Sequence, residues 1–181
     1  SGTTGRPKGV VYHHRGAYLA TMANAIAWRM QLFPVYLTIV PLFHCNAWCH
    51  PWMIPMMAGT LVCCRDITAK AIYDAIADEG VTHFGGAPIV LNTVINCKPQ
   101  DRRAFSHIVE VFTAGAPPPA ATLAAFEPLG FNVTQVYGLT ETYGPATECL
   151  WQSDWEATAG DERAALKART GVAMAMLEGA E

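Results

Sequence analysis

The stretch LVCCRDITAKAIYDAIADEGVTHFGGAPIVLNTV, residues 61–94, decides the fold that the sequence predicts. It contains two short apolar segments typical of buried strands, Leu61–Cys64 and Thr82–Phe84, and a pattern of helical spacing follows each of them. Thr68 is suited to cap the start of the first helix, and Gly80 is suited to end it. A strand, a crossover helix and a second strand of this length predict a parallel β-helix-β unit.

Similar apolar segments recur at a regular spacing along the chain. The five predicted strands start at residues 36, 61, 82, 108 and 133, so successive starts are 21 to 26 residues apart. This spacing leaves room for one crossover helix and its loops between strands. We therefore expect an α/β fold in a single domain, with a mainly parallel sheet of about five strands and flanking helices. The further helices are predicted at Leu19–Met30, Pro88–Val94, Pro119–Phe126 and Asp161–Arg169.

The composition argues against several classes of protein. Charged residues make up 15% of the 181 residues and the net charge is −3, so there is no basic excess for nucleic-acid binding. No charged residue lies between Arg29 and Arg65, but prolines interrupt this segment and leave no run of about 20 apolar residues for a membrane span. The six cysteines are not spaced as a secreted disulfide framework. We therefore expect free thiols and a cytoplasmic location, with no nucleic-acid partner.

The segments that follow the predicted strands carry unusual residues. In an open parallel sheet, ligands bind beyond the carboxyl ends of the strands. Polar or glycine-rich segments follow four of these strands, and the last segment places Glu141 between Thr140 and Thr142. A turn by itself needs no carboxylate between two hydroxyl groups, so this pattern indicates a binding site. The four segments are Leu42–Trp48, Gly85–Pro88, Thr113–Pro117 and Gly138–Thr142.

The first nine residues, SGTTGRPKG, are typical of a loop that binds phosphate. Its glycines allow backbone N–H groups to surround an anion, its hydroxyl groups donate hydrogen bonds, and Lys8 adds a positive charge. It is not a Walker A loop, because Gly9 stands where that motif has the hydroxyl that binds Mg²⁺. Glu141 is the natural candidate for the Mg²⁺ ligand, since one or two carboxylates together with phosphates usually hold this ion. The candidates in the phosphate loop are Ser1, Gly2, Thr3, Thr4, Gly5 and Lys8.

A slot for a nucleotide base is predicted beside the phosphate site. Tyr137 directly precedes the last polar segment and offers an aromatic face on which a base can stack. Gly115, Ala116 and Pro117 follow the fourth predicted strand and would form a thin opposite wall. The competing interpretation is that Tyr137 is a core residue and that the prolines only stiffen the start of a helix.

Four motifs occur together in the sequence: SGTTGRPKG at 1–9, LFHCNAW at 42–48, AGAPPP at 114–119 and YGLTET at 137–142. In this order they resemble the signature motifs of the adenylate-forming superfamily, which includes acyl-CoA synthetases, firefly luciferase and the adenylation domains of peptide synthetases. The segment YHHRGAYL at 12–19 is most similar to AMP-forming medium-chain acyl-CoA synthetases, including bacterial ligases for 3-methylmercaptopropionate.

The resemblance implies a two-step ligase reaction. A carboxylate attacks the α-phosphate of ATP bound with Mg²⁺, which gives an acyl-adenylate and pyrophosphate, and the thiol of coenzyme A then displaces AMP. The resemblance implies that Thr3, Thr4 and Lys8 contact the β- and γ-phosphates. It also implies that Thr140 contacts the α-phosphate and that Glu141 holds Mg²⁺.

The resemblance further implies where the adenine and the catalytic groups lie. Gly115, Ala116 and Pro117 would face Tyr137 across the adenine, and Gly138 would belong to the same nucleotide-binding turn. The catalytic residues that it implies are Lys8, His44, Thr140 and Glu141.

The organic acid is expected beside the nucleotide. His44 matches the family position that lines the approach of the acyl group and the thiol, and Trp48, Gly85 and Gly86 would line the acyl pocket. The Met- and Trp-rich stretch that follows Trp48 suits a short- or medium-chain aliphatic or thioether acid. The same stripe also fits an ordinary hydrophobic core.

Parts of the family pattern have no counterpart in the sequence. Ala47 stands where many relatives have glycine. The aspartate that holds the ribose, the hinge and the small C-terminal domain with its catalytic lysine do not occur before Glu181. We therefore expect residues 1–181 to be part of the large N-terminal AMP-binding domain without the C-terminal lid. Alone, this part is expected to bind nucleotide weakly, and exposed apolar surface would favour self-association as a homo-oligomer.

Two other functions remain open at this point. His44, Cys45, Cys49 and His50 lie within seven residues, which is compatible with a zinc-binding structural domain. A nucleotide-binding module without ligase activity would keep the same motifs. An NAD-dependent oxidoreductase is less consistent with the sequence, because no G-x-G-x-x-G turn opens a helix, and no G-x-S-x-G elbow of a hydrolase occurs.

Overall fold

The computed structural model describes residues 5–177. The described residues form seven strands: β1 (Val35–Thr38), β2 (Thr60–Cys63), β3 (His83–Gly86), β4 (Val109–Thr113), β5 (Phe131–Leu139), β6 (Gly144–Glu148) and β7 (Val172–Ala173). They build one sheet in the order β2-β1-β3-β4-β5-β6-β7. Strands β1 to β5 run parallel, whereas β6 is antiparallel to β5 and β7 is antiparallel to β6.

The predicted α/β fold with about five parallel strands is confirmed, but the two antiparallel strands were not predicted. Strand β5 continues to Leu139, two residues past the predicted end at Tyr137, and the chain then reverses through a short 3₁₀ turn at Thr140–Thr142. Strand β6 begins with Gly144 and Pro145. These two residue types are rare in strands, so the sequence gives no strand-like pattern at this position.

Besides four short 3₁₀ turns, the described residues form seven segments assigned as α-helix: α1 (His14–Ala27), α2 (Cys45–Trp48), α3 (His50–Met56), α4 (Ala69–Glu79), α5 (Pro88–Ile95), α6 (Ala120–Phe126) and α7 (Gly160–Lys167). The predicted limits of α4 are confirmed, because the Thr68 hydroxyl accepts a hydrogen bond of 3.1 Å from the Ala71 N–H and Gly80 ends the helix at φ 67°. Helix α1 starts earlier than predicted, and α3 was not predicted.

The two faces of the sheet differ in character. One, the apolar face, carries Phe84 and Phe131 and packs against α4, α5 and α6. The other, the aromatic face, carries Tyr36 and Phe112 and packs against α1, α2 and α3. On the aromatic face the Trp28 ring stacks on Phe112 with 3.7 Å between centroids, and the His50 ring lies 4.1 Å from Tyr36.

Helix α2 is a left-handed turn. The φ angles of Cys45, Asn46, Ala47, Trp48 and Cys49 are 47°, 46°, 50°, 55° and 68°. For residues other than glycine this conformation costs about 1–2 kcal/mol each, and it persists only where the surrounding structure holds it. The segment immediately follows His44, so the strained backbone coincides with one of the four motifs.

Two further features bear on the sequence predictions. All six cysteines have free thiols. None of the helices within residues 5–177 combines the length and the apolar character needed to cross a membrane.

Candidate active site

Four of the predicted binding segments lie at the same edge of the sheet. They follow, or end, the adjacent parallel strands β1, β3, β4 and β5, whose carboxyl ends point in one direction. Ser1, Gly2, Thr3 and Thr4 lie outside the described residues, so the phosphate loop is represented here by Gly5 to Lys8 and the segment that continues to α1. The edge therefore brings together residues from most of the length of the chain.

The Thr140–Thr142 turn is closed by its own side chains. The Thr142 hydroxyl accepts a hydrogen bond of 2.8 Å from the Leu139 N–H and donates to the Gly144 carbonyl at 2.8 Å. A Cβ on Gly138 would lie only 1.8 Å from the Gly144 oxygen, so this position requires glycine. The Thr142 hydroxyl therefore makes its hydrogen bonds within the turn, and Glu141 lies at the exposed tip of the turn.

The segment that follows Lys8 contacts this turn directly. The Tyr12 hydroxyl donates a hydrogen bond of 2.5 Å to the Thr140 carbonyl, across 128 positions of sequence. Lys8 is four residues before Tyr12, so the chain cannot separate the two Cα atoms by more than about 14 Å. The segment that continues from Lys8 to α1 therefore contacts the Thr140–Thr142 turn.

The segment that contains His44 reaches the same turn. The Cys45 thiol donates to the Thr140 hydroxyl at 3.5 Å, and the Cys49 thiol donates to the Tyr143 carbonyl at 3.5 Å. His44 is exposed and immediately precedes Cys45. These contacts bring His44 close to Thr140 and hold the strained α2 against the end of β5.

The predicted base slot is open on both sides. Tyr137 is 49% exposed in β5. Thr113 and Gln135 are the last pair in the parallel register of β4 and β5, and Gly115 and Tyr137 each follow one of these two residues by two positions. Gly115 has φ 92°, and a Cβ there would meet no atom within 4 Å. An exposed ring and an open glycine turn at the ends of two adjacent strands are compatible with a bound base; Ala116 and Pro117 are also exposed.

Two of the predicted acyl-pocket residues are in contact. The six-membered ring of Trp48 lies 3.0 Å from the place where a Cβ on Gly85 would stand. Gly85 therefore makes room for Trp48, whose side chain is only 6% exposed. Gly86 faces Val90 of its own following helix, since a Cβ there would lie 2.9 Å from the Val90 Cβ. The role of Trp48, Gly85 and Gly86 in binding an acid stays a prediction.

Burial keeps the groups beneath the turn uncharged. Burial, followed by the neighbouring Cys45, Tyr143, Glu141 and Cys49, raises the pKa of Tyr12 to about 12. Burial also raises the pKa of Cys49 to about 12. Both groups therefore keep their protons at neutral pH and remain hydrogen-bond donors.

The structure does not favour the zinc alternative. His50 is completely buried, its Nδ1 lies 2.7 Å from the Ala47 carbonyl, and burial lowers its pKa to about 3. Within residues 5–177 there is no group of three or more His, Cys, Asp or Glu side chains that could hold a metal ion. A single exposed carboxylate such as Glu141 does fit Mg²⁺, because this ion takes most of its other ligands from phosphates and water.

Sequence reasoning missed the residues that hold the site together. Tyr12 begins the segment YHHRGAYL, but the sequence assigned no role to Tyr12, Trp52 or Tyr143. Their side chains meet only because distant segments pack at one edge. The Trp52 indole N–H donates to the Tyr143 hydroxyl at 2.8 Å, and the Tyr143 ring lies 4.0 Å from the Tyr12 ring. No pattern of spacing predicts such contacts.

Comparison with known proteins identifies similar sequences and a similar fold. A family model described as AMP-binding enzyme matches residues 1–178. The peroxisomal acetate/butyrate–CoA ligase AAE7 of Arabidopsis thaliana is 48% identical over 173 residues, which are 95% of this chain and 30% of that protein. The acetate–CoA ligase CCL3 of Humulus lupulus is 47% identical over 180 residues, 99% of this chain and 32% of that protein. This chain thus spans about a third of the length of these relatives.

A solved structure has the same fold. The inhibitor-bound N-terminal domain of FACL13 from Mycobacterium tuberculosis superposes with a TM-score of 0.72 at 29% identity, covering 83% of this chain and 38% of that chain. The family match covers nearly the whole sequence, and the fold and the four motifs agree with it. The chain belongs to the AMP-binding enzyme family.

Proposed function

We propose that this chain is part of an AMP-forming acyl-CoA ligase. The enzyme would activate a short- or medium-chain carboxylic acid as an acyl-adenylate and transfer the acyl group to coenzyme A. The observation that carries the proposal is the meeting of three segments at Thr140: Tyr12 donates to its carbonyl and Cys45 donates to its hydroxyl. The groups expected to act on ATP and on the acid, Lys8 and His44, belong to those two converging segments.

The chemistry explains why these residue types are needed together. Attack of a carboxylate on the α-phosphate brings two anions together, so positive charge and hydrogen-bond donors must act where negative charge develops. Lys8 supplies a positive charge near the phosphates. The Thr140 hydroxyl accepts from Cys45 and so keeps its own proton to donate to the α-phosphate. Glu141 would hold Mg²⁺, which neutralises phosphate charge when bound.

The second step would take place on the side of His44. The thiol of coenzyme A would give up its proton to solvent, and its sulfur would form a bond to the acyl carbonyl carbon. The bond between that carbon and the phosphate oxygen would break, and AMP would leave. His44 is exposed at the start of α2, beside the turn that would hold the adenylate. This position supports a role in lining the approach of the thiol.

The contact between Trp48 and Gly85 supports a small acid. The Trp48 ring fills the space over Gly85, which limits the length of any chain that binds between α2 and the end of β3. Relatives at 47–48% identity are named as acetate/butyrate and acetate ligases. We therefore propose acids of this size class as substrates.

The proposed enzyme needs parts beyond this chain. The relatives are about three times as long, and the ribose-binding aspartate and the catalytic lysine expected for the family would come from that additional length. We propose that residues 1–181 form part of the N-terminal domain and that they bind nucleotide weakly by themselves. The cytoplasmic location and the homo-oligomer stay predictions; one relative is named as peroxisomal.

The test is Glu141→Gln in the full-length ligase, with Glu79→Gln at the exposed end of α4 as the matched control. Loss of the carboxylate should weaken Mg²⁺-dependent ATP binding about 10- to 100-fold and reduce pyrophosphate exchange to the same extent. Exchange is measured with acetate and butyrate and then with longer acids. The control should behave as wild type.

Two results would contradict the proposal. If Glu141→Gln binds ATP and Mg²⁺ as tightly as wild type, the metal site lies elsewhere. If the wild-type full-length protein binds ATP with Mg²⁺ but catalyses no exchange with any acid, it is a nucleotide-binding module and not a ligase.

A further inference from the structure

Tyr12 lies where three segments of the chain meet. Its hydroxyl donates to the Thr140 carbonyl at 2.5 Å, and its ring centroid is 4.0 Å from that of Tyr143. The same Thr140 accepts a hydrogen bond on its hydroxyl from the Cys45 thiol at 3.5 Å. Tyr12 is thus in contact with both ends of the turn that carries Glu141.

The far end of the turn is fixed independently of Tyr12. The Trp52 indole donates to the Tyr143 hydroxyl at 2.8 Å, and the Cys49 thiol donates to the Tyr143 carbonyl at 3.5 Å. These contacts come from α2 and α3 and hold Tyr143 at the end of the turn. The start of the turn is held from the other side, by the segment that continues from Lys8.

The Tyr12 hydrogen bond acts on a specific peptide group. The Thr140 carbonyl belongs to the peptide that joins Thr140 to Glu141, and it also accepts from the Tyr143 N–H at 3.1 Å. Because a peptide group is planar, two donors on one carbonyl fix the orientation of the whole group. The direction in which the chain enters Glu141 therefore depends on Tyr12.

We propose that Tyr12 is a positioning residue for adenylation: it aligns the Thr140–Glu141 peptide with the segment that carries Lys8. The inference rests on the proposed function, because it concerns how the same turn acts on ATP. In-line attack requires the donors around the α-phosphate to be in place before the reaction. A tether between the two segments supplies this alignment without touching the substrate.

The donor is present over the whole working range of pH. The pKa of Tyr12 is raised to about 12, chiefly by burial, so the hydroxyl keeps its proton at neutral and mildly alkaline pH. Replacement by phenylalanine removes only this donor. The ring that packs against Tyr143 at a tilted angle remains, so the substitution leaves the packing in place.

The test compares Tyr12→Phe with Tyr18→Phe in the full-length ligase. Tyr18 is in the same segment and is 62% exposed, so it serves as the matched control. In pyrophosphate exchange, kcat of Tyr12→Phe should fall about tenfold while KM for ATP changes less than about twofold, because the loss concerns alignment in the transition state. The melting temperatures of both variants should match that of wild type.

A second measurement reports on the tether itself. Hydrogen exchange of the backbone amides at 139–143 should become faster in Tyr12→Phe and remain unchanged in Tyr18→Phe. Wild-type kcat in Tyr12→Phe, or a lowered melting temperature with an unchanged kcat, would overturn the proposal. Absence of exchange activity in wild type would instead contradict the proposed function, and the amide measurement would still show whether Tyr12 holds the turn.

Discussion

The apolar face and the aromatic face of the sheet are built from similar amounts of buried side chain but differ in polarity. The apolar face is filled mainly by Phe, Ile, Leu and Val from the strands and from α4 to α6, although the Tyr73 hydroxyl there is also buried without a hydrogen-bond partner among the described residues. The aromatic face places His50 and the Trp28 indole among buried rings, and the His50 Nε2 and Trp28 Nε1 atoms have no hydrogen-bond partner among the described residues. Each such atom costs free energy on burial.

The difference follows from what each face supports. The aromatic face lies beneath α2, whose left-handed backbone is strained, and beneath the contacts that fix the Thr140–Thr142 turn. Strain and unsatisfied polar groups are tolerated at functional sites when the rest of the fold is stable enough. The apolar face supplies that stability, and the aromatic face holds the site in place.

The largest expected effect comes from a large-to-small substitution on the apolar face. Phe131 is 2% exposed, and its ring packs against Phe84, Phe105 and Phe126. Phe131→Ala should lower the free energy of unfolding by about 3–5 kcal/mol, because it removes apolar contacts and leaves a cavity. Urea denaturation measures the change.

The control for this prediction is Ile89→Ala in α5. Ile89 is 70% exposed, and its truncation should change the unfolding free energy by less than about 0.5 kcal/mol. A similar loss from both variants would show that the apolar face is not the main source of stability.

An intermediate effect on the free energy of unfolding is expected when the pH is lowered, because of His50 on the aromatic face. Burial lowers the pKa of His50 to about 3, below its usual value of 6.5, so the unfolded chain binds the proton first as the pH falls. The resulting loss of stability is absent above the unfolded pKa and grows between about pH 6.5 and pH 3. His50→Gln should remove about 1 kcal/mol of the loss between pH 6 and pH 5.

The measurement is urea denaturation of wild type and variant at a series of pH values. His14→Gln, on the exposed surface of α1, serves as the control and should leave the wild-type slope unchanged. His83, whose pKa burial lowers to about 4, remains in both variants and accounts for part of the residual slope. If the unfolding free energy of wild type and of His50→Gln changed with pH to the same extent, the role given to His50 in this acid sensitivity would be wrong.

The smallest effect on stability is expected from breaking exposed ion pairs on the outer surface of the helices that cover the apolar face. Arg103 forms ion pairs with Asp78 at 2.6 Å and Asp74 at 3.5 Å, and all three side chains are partly exposed. Exposed ion pairs contribute little to stability and are screened by salt. Arg103→Ala should leave the urea midpoint close to that of wild type, and a large decrease would mean that ion pairs and not apolar packing hold this layer.

Local patterns gave the parallel part of the fold correctly. Thr68 and Gly80 limit α4 as predicted, because capping depends on a few neighbouring residues. The apolar runs marked all five parallel strands to within a few residues. The antiparallel strand β6 was missed, since its Gly144 and Pro145 are unfavourable for strands and are held there by pairing with β5.

The residues of the candidate site stay predictions, although the structure shows where their segments lie. The resemblance pointed to Lys8, His44, Thr140 and Glu141, and the structure brings their segments to one edge of the sheet. Thr142, which the sequence offered as a second hydroxyl beside Glu141, closes the turn instead. The left-handed α2 was not predicted, because five residues other than glycine adopt this conformation only when distant contacts hold them.

The sequence alone determined the parallel β-helix-β units, the edge of the sheet at which the candidate site lies and the residue types present there. These properties depend on periodicity, caps and turns, which are local in the chain. Only the tertiary structure decided that Tyr12 meets Thr140 across 128 positions, that Trp48 fills the space over Gly85 and that α2 is left-handed. Contacts of this kind form only when the sheet and its helices pack together. They join residues that are distant in the chain, so no short stretch of sequence is sufficient to predict them.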